Sequence, residues 1–480
     1  MACTVMLVQP AYQRRVRAIA QTTVGPPLGL AWLAAVLRSQ GVAIAVVDAN
    51  ALDLTLDQVA DRVAAGQPAL VGLTAVTPTI EACARLAGLV RARLPRVRIA
   101  IGGVHASALP VETLRNYPVF DVAVAGEGEP VIAALAQGAA RAVAQDAVPT
   151  WPNLDGVYWR DPAGQVLGGG FSRVADLRHQ PRPAWDLLPM ARYHTPDGRR
   201  FAAVMAQRGC PAACSYCAVP VFMGQQVRRR DPTEVADELA DLADRFGVRQ
   251  VGFLDDTFTM DRGWVLELCA ALVTNEVAVR VRWSCLTRVN AIDVPLLRSL
   301  YGAGCRRVEL GVESGSPAVL KRLRKGTTVD QARAAFAAAR QVGMPTMAFV
   351  MVNAPGETRD DLQATEALVR ELDPDWLQVS FATPYPGTEL RAAWLAQGLR
   401  LPQGWDGYSF LRDVAVDQPQ LPAWEVRRAA WRMQLRHYAR PAWLARQIGA
   451  LLRGEGDARA FAAAATVGVR HLWATARALG

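Results

Sequence analysis

Two long stretches of the chain alternate short apolar runs with helical patterns, and this alternation restricts the fold more than any other feature. In residues 1–140 the runs are TVMLVQP, VAIAVVDAN, ALVGLTAV and VRIAIGG, with amphipathic segments such as LDQVADRVAAG between them. Strands this rich in Val, Ile, Leu and Ala are typical of a parallel sheet covered by helices on both faces. We therefore predict an α/β, Rossmann-like N-terminal domain whose ligand crevice lies at the carboxyl ends of the strands.

The second stretch begins at Phe201 and repeats the alternation six times. We predict strands at FAAVMAQ, QVGFLDD, VRVRWSCLT, RRVELGVES, PTMAFVMVN and WLQVSFATP, with helical patterns between them. Six βα repeats predict a partial (βα)6 barrel of the TIM type over residues 198–395, with its chemistry at the carboxyl ends of the strands. Residues 141–197 are predicted to be a linker with a hairpin at LDGVYWRDPAGQVLGGG, and residues 396–480 a helical C-terminal region.

The overall composition excludes several classes of protein. Of the 480 residues, 51% are hydrophobic and 20% are charged, so the chain is globular rather than disordered or fibrous. Its eight cysteines are too few and too irregularly spaced for a secreted disulfide framework, and the N-terminus lacks a signal-peptide pattern. No apolar run reaches the roughly 18 residues of a membrane span. These features predict a reducing, cytoplasmic compartment.

The net charge of +9 is scattered along the chain with few interleaved aromatic residues, so we expect no nucleic-acid partner. Much of the excess lies after residue 390, in EVRRAAWRMQLRHYARPAWLARQ. A solvated basic helix face is the simplest interpretation, and contact with an anionic substrate or a membrane surface is the alternative. Several tryptophans and arginines of the C-terminal region either pack within helices or cover the barrel mouth. They are Trp394, Trp405, Trp424, Trp431, Trp443, Arg427, Arg428, Arg432 and Arg436.

The first barrel strand leads into QRGCPAACSYCAVP, which places three cysteines within eight residues. A structural zinc ion needs four ligands, and no fourth Cys or His follows nearby. A disulfide is disfavoured by the odd number of thiols and by the predicted compartment. Three thiolates on one loop suit three corners of a cubane iron–sulfur cluster and leave one iron open. We therefore favour an iron–sulfur centre over a zinc site or a structural role for Cys210, Cys214 and Cys217.

The stretch CPAACSYC resembles the hallmark of the radical S-adenosylmethionine (SAM) superfamily, Cys-x3-Cys-x2-Cys with an aromatic residue before the last cysteine, here Tyr216. The resemblance implies a [4Fe–4S] cluster held by Cys210, Cys214 and Cys217, whose open iron binds SAM. One electron delivered to such a cluster cleaves SAM and gives a 5′-deoxyadenosyl radical, which removes hydrogen from unactivated carbon. A flavodoxin or ferredoxin is the kind of electron donor that this chemistry implies.

The same resemblance implies SAM contacts at the ends of the following strands. Asp255 and Asp256 in FLDDTF stand where the superfamily binds the SAM amino group, although the more usual glycine-glycine-glutamate is absent. Arg288 in CLTRVN is expected to pair with the SAM carboxylate. Residues expected at the ribose, the methionyl group and the adenine are Glu313, Ser314, Pro355 and Gly356. Taken singly, each of these residues also suits a helix cap or a turn.

The N-terminal domain resembles the cobalamin-binding branch of this superfamily. The stretches that carry this resemblance are PPLGLAWLAAVLRSQG, GGVHASALP and AGEGEP. The resemblance covers nearly the whole chain and implies a cobalamin that lies across the strand ends and faces the cluster. Residues implied at its tail and ring edge are Thr74, Thr77, Gly102, Gly103, His105, Gly126, Glu127, Gly128 and Glu129. A domain of this fold that binds no cobalamin is the alternative.

One departure from other cobalamin proteins concerns the cobalt ligand. Their Asp-x-His-x-x-Gly motif, which supplies a histidine to cobalt, is absent, and PAYQRRVRAIAQ after the first strand contains no histidine. We therefore expect no imidazole on the lower face of the cobalt and interpret His105 as a hydrogen-bonding residue of its loop.

Most members of that branch are methyltransferases, so the resemblance implies methyl transfer to an unactivated carbon of a secondary metabolite, lipid or tetrapyrrole. In that reaction one SAM methylates the cobalamin, a second SAM gives the radical, and methylcobalamin delivers the methyl group. The alternative is an oxidative cyclase or hydroxylase of the anaerobic magnesium-protoporphyrin monomethyl ester cyclase type, which shares the architecture and does not methylate. A third class, a cobalamin sensor without catalysis, conflicts with a complete cluster motif.

Overall fold

The first sheet contains the parallel strands predicted for the N-terminal domain. The computed structural model describes residues 4–11 and 25–452. The strands of this sheet are Val5–Gln9 (β1), Ile44–Asp48 (β2), Leu70–Thr74 (β3), Arg98–Gly102 (β4), Val122–Val124 (β5), Val157–Arg160 (β6) and Val166–Gly169 (β7). They lie in the order β2-β1-β3-β4-β5-β6-β7, and β1 to β5 are parallel. Because the order reverses between β1 and β3, the ligand crevice of such a sheet lies beyond their carboxyl ends.

Helices cover both faces of this sheet, as continuous apolar strands require. They are Leu28–Ser39 (α1), Leu56–Gly66 (α2), Ile80–Arg93 (α3), Val104–Ala108 (α4), Pro110–Asn116 (α5) and Ile132–Ala144 (α6). Along β1, Met6 and Val8 belong to the core on one face, and Val5 and Leu7 to the core on the other. This alternation follows from the two-residue period of a strand and explains why Val5 to Val8 are all apolar.

The predicted hairpin is present as β6 and β7, and it extends the first sheet. β6 pairs antiparallel with β5, with Val122 opposite Trp159. The proline-rich stretch that follows forms three short 3₁₀ turns rather than a helix. Its end is fixed to the first sheet, because the fully buried Tyr193 donates a hydrogen bond of 2.8 Å from its hydroxyl to Oδ2 of Asp48, at the end of β2.

The second sheet has the six strands that the six βα repeats predict. The strands of this part of the chain are Phe201–Val204 (β8), Gln207–Arg208 (β9), Arg228–Arg229 (β10), Gln250–Phe253 (β11), Arg282–Arg288 (β12), Cys305–Glu313 (β13), Thr346–Val352 (β14) and Trp376–Phe381 (β15). The sheet runs β15-β14-β13-β12-β11-β8, all parallel, and is curled into a half-barrel, while β9 and β10 form a separate antiparallel ribbon. The predicted α/β fold class is thereby confirmed.

Helices connect the strands of the half-barrel. They are Val219–Phe222 (α7), Pro232–Phe246 (α8), Arg262–Thr274 (α9), Val277–Arg280 (α10), Val294–Gly302 (α11), Pro317–Arg322 (α12), Val329–Val342 (α13), Arg359–Leu372 (α14) and Glu389–Ala396 (α15). Their sequence signals are local: Asp231 caps α8 by accepting from the Thr233 amide at 2.8 Å, and Gly247 ends it in the left-handed region at φ +66°. The core beneath includes the buried rings of Phe258 and Trp283.

The C-terminal region is less helical than its sequence predicts. Residues 397–422 are mostly irregular, with one short turn at Trp405–Gly407, before the helices Ala423–Tyr438 (α16) and Pro441–Leu452 (α17). Pro402, Pro419 and Pro422 account for this, because proline interrupts helical hydrogen bonding. The remainder of the predicted helical region, residues 453–480, lies outside the described residues.

Most of the arginines that the sequence analysis singled out in this region form ion pairs with carboxylates of the chain itself. Arg432 and Arg436 form ion pairs with Glu366 of α14, and Arg427 pairs with Asp413. Trp394 and Trp443 are buried, whereas Trp424 is 52% exposed. The packing interpretation therefore holds for several of these residues. Within the described part of the chain, no helix has the length and apolar character that crossing a membrane demands.

Candidate active site

The three clustered cysteines lie on one loop between β9 and α7, at the carboxyl end of the first barrel strand. Cys210 is buried, and its amide donates to the Gly224 carbonyl at 3.1 Å. The amide of Cys217 donates to the Cys214 carbonyl, also at 3.1 Å, which closes a tight turn. Gly209 precedes the loop at φ +94°, and a Cβ there would collide with the Gln226 carbonyl oxygen. The loop conformation therefore depends on glycine at this position.

The chemistry of these thiols suits a cluster better than a disulfide. All three are free, and burial raises the pKa of Cys210 and raises that of Cys217 to about 12. Such thiols stay protonated until a bound metal displaces the proton. In the described ranges, no three His, Cys, Asp or Glu side chains converge closely enough for a single metal ion. A [4Fe–4S] cluster does not require that convergence, because each of its three cysteines binds a different iron.

A triad of the partly buried Tyr216 and the buried Glu313 and Lys325 lies against this loop. The Tyr216 hydroxyl donates to Glu313 Oε1 at 3.0 Å, and Lys325 Nζ lies 2.7 Å from the same oxygen. Glu313 ends β13 beside an irregularity in its pairing with β14, at a positive φ of 63°. A left-handed glutamate at a strand end is typical of a functional site. The carboxylate of Glu313, predicted to contact SAM, is thus held by two neighbours.

Sequence reasoning missed Lys325, because KRLRK resembles the exposed end of a helix. Arg288, predicted at the SAM carboxylate, ends β12 and is 8% exposed. Its Nη1 donates to Cys214 Sγ at 3.7 Å, and its Nη2 donates to the Lys325 carbonyl oxygen. The guanidinium therefore lies beside one of the predicted cluster ligands.

Asp255 and Asp256 follow β11, next to the cysteine loop. Asp255 Oδ2 accepts from the Ala206 amide at 3.1 Å, whereas its buried Oδ1 has no hydrogen-bond partner among the described residues. Burial raises the pKa of Asp255 to about 7 and that of Asp256 to about 6. A carboxylate with an unpartnered buried oxygen is suited to an ammonium group, which would restore its ordinary ionisation.

The loops after β13 and β14 carry the remaining predicted SAM residues. Ser314 is buried, and its hydroxyl lies 3.0 Å from Thr365 Oγ1, so it ties its loop to α14. Gly356 has a positive φ of 65° beside Pro355, and its amide donates at 3.1 Å to Oε1 of Gln418. Gln418 comes from the irregular C-terminal segment, and only the folded chain reveals this contact.

The crevice of the first sheet brings the predicted cobalamin residues together at the ends of β3 and β4. Thr74 ends β3 and Gly102 ends β4. Gly103 has a φ of +90°, and a Cβ there would lie 2.6 Å from the Ala75 carbonyl oxygen. A Cβ at Gly102 would meet no atom within 4 Å, so space remains in front of that residue. This open, glycine-lined edge fits a bulky planar ring.

His105 is held by both the first domain and the C-terminal segment. Its Nδ1 lies 3.4 Å from Thr77 Oγ1, and its ring contacts Trp405 edge-on at 4.9 Å between centroids. Burial, together with the charge of Arg391, lowers the pKa of His105 to about 4, so its ring is neutral near pH 7. The hydrogen bond to Thr77 agrees with the predicted role in the loop. Trp405 was only one of several tryptophans that the sequence offered.

The segment Gly126 to Glu129 joins the first domain to the barrel. Both carboxylates are buried: Glu127 is bound by Arg228 through two hydrogen bonds of 2.8 Å, and Glu129 by Arg208 at 2.7 Å. These arginines lie on the β9–β10 ribbon that leads into and out of the cysteine loop. Both carboxylates of this segment are therefore occupied by arginines.

Comparisons with known proteins match both halves of the chain. The profile of the radical SAM superfamily matches residues 204–369, and that of the B12 binding domain matches residues 14–136. An uncharacterized methyltransferase of Pyrococcus horikoshii is 29% identical over 456 residues, which cover 92% of this chain and 94% of the relative. The anaerobic magnesium-protoporphyrin IX monomethyl ester cyclase of Rubrivivax gelatinosus is 30% identical over 76% of this chain, which spans only 65% of that relative.

A solved structure has the same architecture. The radical S-adenosylmethionine methyltransferase TsrM from Kitasatospora setae, with cobalamin and a [4Fe–4S] cluster bound, superposes with a TM-score of 0.69. The match covers 84% of this chain and 78% of TsrM at 18% sequence identity, so it speaks for the fold alone.

Proposed function

Because the chain belongs to the radical SAM superfamily and carries a B12 binding domain ahead of its barrel, we propose that it is a cobalamin-dependent methyltransferase acting on an unactivated carbon. The observation that carries the proposal is the packing of α7, which follows Cys217, against α4, which contains His105. This contact brings the cysteine loop and the glycine-lined crevice to one mouth. A radical generated at the loop and a methyl donor in the crevice would therefore reach the same substrate.

The cofactors are a [4Fe–4S] cluster, SAM and cobalamin. When bound, the cluster supplies the electron that cleaves SAM, and cobalamin supplies a transferable methyl group. We propose that Cys210, Cys214 and Cys217 hold the cluster and that Asp255 and Asp256 accept hydrogen bonds from the SAM ammonium. Burial of both carboxylates strengthens such an interaction, because little water competes for it.

The remaining predicted residues shape the two binding sites. We propose that Glu313, Ser314, Pro355 and Gly356 position the strand-end loops around the ribose, methionyl group and adenine of SAM. Residues proposed to line the cobalamin are Thr74, Thr77, Gly102, Gly103, His105, Gly126, Glu127, Gly128 and Glu129. For Glu127 and Glu129 this contribution is through the backbone, since arginines bind both carboxylates.

The substrate is a small molecule, and we propose a secondary metabolite, a lipid or a tetrapyrrole. A flavodoxin or ferredoxin in the cytoplasm is the proposed electron donor. Peripheral membrane contact through α16 and α17 is a lesser proposal, because Arg427, Arg432 and Arg436 already pair with carboxylates of the chain.

The test is anaerobic reconstitution with iron, sulfide and hydroxocobalamin, followed by reaction with SAM and dithionite. A methyltransferase forms both 5′-deoxyadenosine and S-adenosylhomocysteine, and SAM with a deuterated methyl group transfers the label to the product. Consumption of SAM without S-adenosylhomocysteine rules out methyl transfer. The Cys214→Ala variant is the control and should form neither compound above background.

The same assay separates the alternative reaction. An oxidative cyclase would form 5′-deoxyadenosine without S-adenosylhomocysteine and would incorporate oxygen-18 from labelled water into its product. The methyltransferase relative supports the first proposal better, because its match extends over 94% of that protein, against 65% of the cyclase.

A further inference from the structure

Arg288 contacts the cysteine loop directly, and its orientation is fixed by neighbours on both sides. Its Nη1 donates to Cys214 Sγ at 3.7 Å, and its Nη2 donates to the Lys325 carbonyl oxygen. On the side of Nη2 the packing is close, since a Cβ at Gly326 would lie 3.6 Å from that nitrogen. The guanidinium therefore bridges a predicted cluster ligand and the segment that follows α12.

That segment is itself attached to the cysteine loop. The amide of Ser215 donates to the Leu323 carbonyl at 3.0 Å, and its hydroxyl lies 3.3 Å from the Arg322 carbonyl. Lys325 is anchored by its ion pair of 2.7 Å with Glu313. The loop and the segment are therefore hydrogen-bonded to each other, and Arg288 contacts both of them.

The charge of Arg288 is not neutralised by a carboxylate. Throughout residues 4–11 and 25–452 no Asp or Glu forms an ion pair with Arg288, whereas Lys325 and Glu313 neutralise each other. A buried cation without a counter-ion is costly. Thiolates that bind a cluster would provide the missing negative charge. The interaction is stronger when the cluster carries one more electron, so Arg288 favours the reduced state.

We propose that Arg288 is a positioning residue that raises the reduction potential of the cluster held by Cys210, Cys214 and Cys217. The inference rests on the proposed function, since it requires that cluster. The step concerned is the uptake of one electron by the oxidised cluster from a one-electron donor, dithionite in the assay. This effect on the reduction potential is distinct from the pairing of Arg288 with the SAM carboxylate that the sequence predicts. The carboxylate pairing would change the affinity for SAM and would not change the potential of a cluster without SAM.

The test is a redox titration of the reconstituted enzyme without SAM, followed by electron paramagnetic resonance (EPR) of the reduced cluster. In Arg288→Met, which keeps an unbranched side chain but removes the guanidinium and its charge, we expect the reduced-to-oxidised ratio at a fixed potential to fall about tenfold, or ~59 mV. Arg288→Lys keeps the positive charge, so in this variant the reduced-to-oxidised ratio should fall less. Arg307→Met is the matched control, because Arg307 lies near the start of β13, paired with Glu309, and should leave the potential unchanged.

Two further measurements make the result decisive: electron-nuclear double resonance of the cluster, and the affinity of each variant for SAM. Electron-nuclear double resonance of the wild-type cluster, with arginine labelled by nitrogen-15, should show a coupling that disappears in Arg288→Lys or Arg288→Met. An unchanged midpoint potential in a cluster-loaded Arg288→Met variant, with weakened binding of SAM, overturns the proposal and leaves only the carboxylate pairing. If the wild-type chain takes up no cluster at all, the proposed function fails together with this inference.

Discussion

At the scale of single residues, Glu357 combines complete burial with an incomplete set of hydrogen bonds. Its Oε2 accepts from the Ala354 amide at 3.1 Å, but Oε1 has no partner among the described residues. Burial raises the pKa of Glu357 to about 8. The folded chain therefore binds this proton more tightly than the unfolded chain, and Glu357 costs stability increasingly as the pH rises from about 4.5 to about 8.

This predicts the behaviour of Glu357→Gln, which mimics the protonated side chain. The thermal midpoint of the wild type should fall between about pH 4.5 and pH 8, and that of the variant should fall less, so the variant is the more stable above about pH 8. Scanning calorimetry across this range measures both curves. Glu371→Gln is a suitable control. The hydrogen bond from Arg333 lowers the pKa of Glu371, so removing the Glu371 carboxylate should not reduce the loss of stability at alkaline pH. Parallel curves for Glu357→Gln and the wild type would contradict the prediction.

At the scale of elements, the β9–β10 ribbon is attached to the first domain by buried charges. Arg228 binds Glu127 through two hydrogen bonds of 2.8 Å, and Arg208 binds Glu129 while stacking on Trp32 at 4.2 Å. Because the ribbon holds both ends of the cysteine loop, the first domain positions that loop. Removing one partner of such a pair strands a charge away from water, and this costs about 3–5 kcal/mol.

A double-mutant cycle tests this attachment. We expect Arg228→Met and Glu127→Gln each to destabilise the protein, with Arg228→Met near 3–5 kcal/mol, and the double variant to cost clearly less than their sum. Chemical denaturation followed by circular dichroism gives the free energies of unfolding. The exposed pair of Arg245 and Asp241, within α8, serves as the control and should contribute about 0–1 kcal/mol. Additive costs for Arg228→Met and Glu127→Gln would show that the two side chains do not act as a pair.

At the scale of the whole molecule, the sequence predicts the sheets and the loops at their strand ends, since apolar periodicity determines on which edge a loop lies. Cys210, Asp255 and Gly102 could be predicted for that reason. Lys325 and Gln418 could not, because their roles depend on contacts with segments far away in the chain. The same holds for Glu127 and Glu129, whose sequence context suggested cofactor contacts and gave no sign of the arginines that bind them.

The C-terminal segment depends on such long-range contacts most of all. Trp405 packs edge-on against His105 of the first domain at 4.9 Å, while Arg391 of α15 lies 5.7 Å above the same indole ring. One tryptophan thus links the end of the barrel to the crevice proposed to bind cobalamin. Sequence reasoning grouped Trp405 with other tryptophans of an expected helical region, and the irregular backbone around it was not anticipated.

This link predicts that Trp405→Ala weakens cobalamin binding while the cluster remains. Loss of the edge-on contact frees His105 and its loop, and aromatic pairs of this kind contribute about 0.5–1.5 kcal/mol, so we expect the dissociation constant for hydroxocobalamin to rise roughly 2- to 10-fold. Equilibrium dialysis measures the affinity, and EPR of the reduced cluster should be unaltered. Trp424→Ala, at a tryptophan that is 52% exposed in the same region, controls for the loss of an indole and should bind cobalamin like the wild type. Equal affinities for both variants would mean that the crevice does not depend on the C-terminal segment.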